Sequence, residues 1–207
     1  MNILMINGSP HADGNTAVAL REMKKIFDAE KVETTLIQVG NKAIRGCAGC
    51  GSCHKTGRCA FDDEVNQAAS LFEKADGLVI ASPVYYASAN GTLVSFLDRL
   101  FSSTPFDKTM KVGATVAVAR RGGCTATFDQ LNKYLTISGM AVASSQYWNI
   151  IHGRVPGEAS QDEEGLQTMR TLARNMVFLM KSIALGKEKY GLPESEPRIR
   201  TNFIRQE

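Results

Sequence analysis

The chain has 207 residues, 43% of them hydrophobic and 22% charged, with a formal net charge of +3. This length and balance suit one soluble domain with its own core. The small charge gives no basis for a nucleic-acid or anionic-membrane partner. No apolar run approaches the roughly 18 residues of a membrane span. The N-terminus shows no basic segment leading into a signal-like apolar stretch, so a cytoplasmic location is expected. Four of the five cysteines fall between residues 47 and 59. In a leaderless chain that favours metal or redox chemistry over a disulfide framework.

In chain order, Ile3-Leu4-Met5-Ile6 is a short apolar run bounded by turn residues, which predicts a strand buried on both faces. Residues 16–30 follow with Leu20, Met23, Ile26 and Phe27 at helical spacing, then alternating residues 32–39 predict a second strand. Residues 41–63 read as an unusually long loop, and such loops in compact domains are usually functional. A helix over 64–74 leads to a buried strand over 77–81. A helix over 91–101 leads to a strand over 112–119. A helix over 125–138 leads to an interrupted fifth strand over 140–144 and 147–151. The last long helix is predicted over 160–185. The charged, proline-punctuated residues 186–207 are expected to be an extended tail. Strands alternating with helices imply one domain over 1–185, an α/β parallel sheet of five strands covered on both faces. Ligands of such sheets sit at the carboxyl ends of the strands. The loops beginning at Gly8, Ser82 and Arg120 should therefore converge.

The first of these loops runs Asn7-Gly8-Ser9-Pro10-His11-Ala12-Asp13-Gly14-Asn15-Thr16 into a helix start. It matches neither G-x-x-x-x-G-K-[ST] nor G-x-G-x-x-G. Ser9, Asn15 and Thr16 set short donors around the positive end of a helix, which suits a phosphate monoester. A plain turn with Asn15 as N-cap is the competing account. The second loop, Ser82 to Gly91, offers Tyr85 and Tyr86 as flat surfaces and Ser88 and Asn90 as edge hydrogen-bonding groups, which suits a planar heteroaromatic ring. The third adds Arg120, Arg121, Gly122 and Gly123; glycines allow close backbone approach, while solvated surface arginines need no function.

Gly8-Ser9-Pro10-His11 with Gly14-Asn15-Thr16, then Ser82-Pro83-Val84-Tyr85 with Asp98-Arg99 downstream, resembles the NADPH-dependent FMN reductase family. The resemblance covers about residues 1–182. It implies a flavodoxin-like, doubly wound sheet and noncovalent FMN. It assigns Ser9, His11, Asn15 and Thr16 to the phosphate loop, with His11 standing where many members carry Arg. It assigns Pro83, Val84, Tyr85 and Tyr86 to the isoalloxazine loop and Gly122 and Gly123 to the third flavin loop. Ser88 and Arg121 join these as expected cofactor contacts, with a cation near the pyrimidine end able to tune the flavin.

The cysteine loop resembles the iron–sulfur flavoprotein branch of that family. Cys47, Cys50, Cys53 and Cys59 are spaced C-x2-C-x2-C-x5-C. Compact runs of this kind let one loop wrap an iron–sulfur cube, and Gly49, Gly51 and Gly57 permit the tight backbone. Free or cycling thiols and a zinc site are the alternatives. Cys124 stands outside the run and reads as a buried structural thiol. His152 is a candidate proton donor, with a structural histidine as the competing account.

The expected activity is that of an FMN-dependent oxidoreductase. Electrons would come from NAD(P)H or ferredoxin and leave to a small acceptor, by way of a [4Fe–4S] cluster if one is bound. An electron carrier without its own substrate is the alternative, which the weakly positive charge does not favour. A homodimer or homotetramer is expected, with the tail reaching a neighbouring subunit.

Overall fold

The computed structural model describes residues 1–197 and residue 199. Its elements are β1 (Asn2–Asn7), α1 (Asn15–Ala29), β2 (Glu33–Gln38), α2 (Ser52–Thr56), α3 (Glu64–Lys74), β3 (Gly77–Tyr85), β4 (Ser88–Ala89), α4 (Gly91–Ser103), β5 (Val112–Ala119), α5 (Cys124–Ile137), β6 (Ala141–Val142), β7 (Ile150–His152) and α6 (Glu163–Tyr190). The strands run in the order β2-β1-β3-β5-β6, with β7 also on β5. β1, β2, β3, β5, β6 and β7 pair in parallel. This is the flavodoxin-like order, with its switch point between β1 and β3.

Both faces of the sheet are covered, which is why β1, β3 and β5 are near-continuous apolar runs rather than alternating ones. On one face, Leu20, Met23 and Phe27 of α1 and Met169, Leu172 and Met176 of α6 bury Ile3, Met5, Val79 and Val116. On the other, Phe72 of α3, Phe96, Leu97 and Leu100 of α4, and Leu131 and Leu135 of α5 bury Leu4, Ile6, Leu78 and Ile80.

The interrupted fifth strand is present as two short pieces. β6 lies opposite Val112 and Gly113, and β7 opposite Ala117 to Ala119. Two boundaries differ from expectation. β3 continues past Pro83 to Tyr85 because β1 ends its pairing at Ala81, so the missing proline N–H costs no bond to β1. Val84 and Tyr85 then pair with β4. The final helix does not stop at Leu185 but runs to Tyr190, so residues 186–190 are helical rather than extended. Lys187, Glu188 and Lys189 are good helix formers, and one interior glycine costs only about 1 kcal/mol. Gly191, at φ 76°, ends it. The remainder of the expected tail, at Arg198 and residues 200–207, lies outside the described residues.

Candidate functional site

The loop after β1 is held from several directions. The Ser9 N–H donates to Asn7 Oδ1 at 2.9 Å and the His11 N–H to Ser9 Oγ at 3.1 Å. Gln38 of β2 donates its side-chain amide to the Ser9 carbonyl, and the Gly8 N–H donates to the Ala81 carbonyl at 2.8 Å. Ser9 and Thr16 are buried, and His11 is exposed at the rim. The N-cap of α1 is Gly14, which carries no side-chain acceptor. The Asn15 and Thr16 N–H groups are thus left for another acceptor at the positive end of the helix, while the Ala17 N–H donates to the Gly14 carbonyl at 3.0 Å.

Asn15 is not the N-cap, and its side chain does not project into this cradle as a free donor. Its amide donates to the Val155 carbonyl at 3.0 Å, and its Oδ1 accepts the Ala159 N–H at 3.0 Å. Asn15 ties the loop after β7 to the start of α1. Only its backbone N–H remains for an anion.

The second loop is a β-hairpin. Tyr85 pairs with Ser88, leaving Tyr86 and Ala87 as the central residues, at φ 51° and 58°. Positive φ at both is the mark of a type I′ turn, which normally calls for Asn-Gly. Two side-chain-bearing residues held there store strain, a feature that clusters at ligand sites. Tyr86 is fully exposed and Tyr85 is 43% exposed, so neither ring is buried in the core. The expected free edge groups are spent internally. Ser88 Oγ donates to Gln130 Oε1 at 2.8 Å, and the Ala89 N–H reaches the same oxygen at 2.9 Å. Asn90 caps α4, accepting from Thr92 and Leu93.

The three loops meet at the carboxyl edge of the sheet. A Cβ on Gly123 would lie 2.8 Å from Ala87 Cα and 2.9 Å from Val84 Cγ1. Gly123, at φ 86°, therefore serves the contact between the third loop and the hairpin. Gly122 has open space around it, and Arg120 and Arg121 are exposed. Pro83 and Val84 are half-buried beneath the hairpin. His152 ends β7 at this same edge, opposite Ala119, with its backbone N–H on Asp162 and its Nδ1 3.2 Å from the Ala119 carbonyl. A cavity of about 590 Å³ beside Met1, Asp76, Lys111 and Met180 lies at the amino ends of the strands and gathers none of these residues.

The long loop after β2 comes down along α4. Cys47, Cys50, Cys53 and Cys59 line one small cavity of about 30 Å³ with Phe61, Arg99 and Ser103. Among the described residues, no three His, Cys, Asp or Glu side chains are grouped as a single metal ion would require. Gly49 and Gly51, at φ 63° and 68°, turn the cysteine arm through left-handed conformations. The cavity is walled by the C-terminal half of α4. Arg99 stands about 13 Å along the axis from the Asn90 cap at 1.5 Å per residue. The cysteine site therefore shares a sheet face with the hairpin but not its edge.

Arg99 was legible only as part of a family motif. Its physical signal is a charged residue in the buried stripe Phe96, Leu100 and Ser103, which demands buried partners. Gln38 and Gln130 carried no sequence signal, because their partners are distant in the chain.

Cys124 is buried at the start of α5, and burial pushes its thiol up to about 11. Burial, then its bond to Asp98, also pushes the Tyr134 hydroxyl up. Both groups are neutral in the fold and ionise more readily unfolded, so the folded state holds more protons at high pH. Their contribution is intact below the unfolded thiol value and is lost as pH rises from about 9 toward 11. Chemical denaturation should show the midpoint falling over that window. Cys124→Ala should flatten the fall.

Residues 1–154 match the model of the NADPH-dependent FMN reductase family. An iron-sulfur flavoprotein of Methanocaldococcus jannaschii is 32% identical over 194 residues, covering 88% of this chain and 99% of its own. One of Methanosarcina thermophila is 26% identical over 193 residues, covering 91% and 100%. Among solved structures, an NADH:FMN oxidoreductase in its apo form superposes with a TM-score of 0.61 and 21% identity, covering 87% of this chain and 89% of that one. A flavodoxin from Archaea superposes at 0.59 with 14% identity, covering 87% and 99%. At such identities the superpositions establish the fold. The match begins at the first residue and spans β1, β3, β5 and all three converging loops, so this chain belongs to the NADPH-dependent FMN reductase family.

Proposed function

We propose that the protein is an FMN-dependent oxidoreductase that moves electrons from NAD(P)H or ferredoxin to a small acceptor, with a [4Fe–4S] cluster on its cysteine loop. The observation that carries the flavin reading is the gathering of three loops at the switch-point edge, with a helix start that has no side-chain cap in the first. Ser9, Thr16 and the backbone N–H groups of Asn15 and Thr16 would hold the phosphate, with His11 at the rim. Pro83, Val84, Tyr85 and Tyr86 would carry the ring, with Ser88 holding the hairpin shut through Gln130. Gly122 leaves room for close backbone approach, while Gly123 keeps the turn seated. Arg121 would lend positive charge toward the ring's pyrimidine end, favouring the reduced form. The bound flavin supplies the hydride and electron chemistry; the chain supplies grip, orientation and charge.

For the cluster, the fit is one of donor chemistry. A [4Fe–4S] cube binds each thiolate at a different corner. Its ligands need to line a common cavity rather than converge on one point, as Cys47, Cys50, Cys53 and Cys59 do. The cavity is small, so the glycine-hinged arm has to lift from α4 to admit a cluster. No helix among the described residues is long and apolar enough to cross a membrane. A cytoplasmic homodimer or homotetramer without nucleic-acid partners completes the reading, and light scattering checks its assembly.

The visible spectrum of anaerobically purified protein, with flavin, iron and sulfide assays, tests both cofactors. Oxidised-flavin bands over broad iron–sulfur absorbance are expected. A colourless protein that gives no heat with FMN in a calorimeter would overturn the flavin reading. The hairpin gives a separate check. The double substitution Tyr86→Asn with Ala87→Gly should stabilise the flavin-free protein by about 1–2 kcal/mol by relieving strain. It should also weaken FMN binding by about tenfold through loss of an aromatic surface. Thermal unfolding and FMN titration read the two effects.

A further inference from the structure

We propose that Arg99 and Ser103 set the reduction potential of the cluster, holding it less negative by donating hydrogen bonds to its sulfur atoms. The inference rests on the four-thiolate reading above and deepens it.

Arg99 is 1% exposed, and its orientation is fixed on several sides. Nη1 and Nη2 fork onto Asp63 at 2.7 and 2.9 Å. Nη1 also reaches the Arg45 carbonyl and Nη2 the Phe61 carbonyl. Along the other edge of the guanidinium, Nε and Nη2 both point at Cys59 Sγ, each at 3.2 Å. A planar donor held this way presents N–H groups to one sulfur with little freedom to turn away. Asp63 offsets much of the distant charge, so the directed N–H groups are the larger influence on the sulfur.

Ser103 supplies an independent observation. It lies four residues on, on the same helix face, and is 3% exposed. Ser103 lines the cysteine cavity, and its hydroxyl has no hydrogen-bond partner among the described residues. A buried hydroxyl without a partner is costly and calls for an acceptor. A sulfur of a bound cluster is an acceptor of the right kind at that wall.

Reduction adds an electron to a group whose sulfur atoms already carry negative charge. Fixed donors aimed at sulfur stabilise the reduced form more than the oxidised one, and hydrogen bonds to sulfur are among the features that set cluster potentials. Removing them should therefore make the potential more negative.

The test is a redox titration of the reconstituted full chain, following the cluster by electron paramagnetic resonance and the flavin by absorbance. Arg99→Lys keeps the charge and loses the fork; Ser103→Ala loses only the hydroxyl. Each should disfavour cluster reduction by up to about tenfold, about 59 mV for one electron. The flavin potential should not move. Cluster-free Ser103→Ala should unfold at the same temperature as wild type or higher, a result that a merely structural role for the hydroxyl does not give. If Arg99→Lys does not fold, Ser103→Ala decides alone. Unchanged cluster potential in iron-replete Ser103→Ala would overturn the inference and leave the cluster reading standing. Wild-type protein that takes up no iron would overturn both.

Discussion

Gly40→Ala should lose FMN affinity by at least about 100-fold, about 2.7 kcal/mol, although residue 40 touches no ligand in the proposed site. A Cβ there would lie 2.2 Å from the Gly8 carbonyl oxygen, 2.3 Å from the Ser9 carbonyl carbon and 2.4 Å from its oxygen. These are backbone atoms of the phosphate loop, and they cannot yield by a rotamer change. The same segment is pinned from the other side by the Val39 and Gly40 N–H groups on the Asn7 carbonyl. The loop must therefore shift, carrying Ser9 and the path to the helix start with it. Overpacking of this kind costs about 1–3 kcal/mol of stability in addition. Calorimetric titration with FMN and thermal unfolding measure the two losses. Gly186→Ala serves as the control: no atom lies within 4 Å of its Cβ position and it sits within α6. That variant should bind FMN normally and gain up to about 1 kcal/mol. Wild-type affinity in Gly40→Ala would remove the loop after β1 from the flavin grip.

The double substitution Cys50→Ser with Cys53→Ser should reduce iron from about four per chain to a trace and leave FMN bound. Two serines remove half of the thiolate set. Cys50 is exposed and Cys53 only half-buried, so the core is untouched. Apo stability should stay within about 0.5 kcal/mol of wild type, as for surface changes generally. The flavin edge lies at the other end of α4. Iron, sulfide and flavin assays on one reconstituted sample decide the matter. Full iron retention would sink the four-thiolate assignment, and parallel loss of FMN would mean that the two sites are not separable.

Local pattern was enough for much of the architecture. Ile3 to Ile6, Leu78 to Ala81 and Val112 to Ala119 are strands because a sheet covered on both faces admits uninterrupted apolar runs. The split last strand was visible in the same way, from two short runs with Ser145 and Gln146 between them. The helix end was misplaced because Gly186 resembles a stop signal. A long helix already packed through Met176 and Met180 tolerates one glycine.

The amino-acid sequence by itself determined the alternating strands and helices, the three loops at one sheet edge and the spacing of four thiols. Each of these depends on residues near one another in the chain, where periodicity and turn chemistry act. Only the tertiary structure decided that Asn15 braces Val155 and Ala159, that Gln130 occupies the Ser88 hydroxyl, and that Arg99 reaches Cys59 and Asp63. Those partners are separated by 36 to 144 residues. A polar side chain's partner is set by which segments the folded sheet brings alongside it, and no local pattern carries that information.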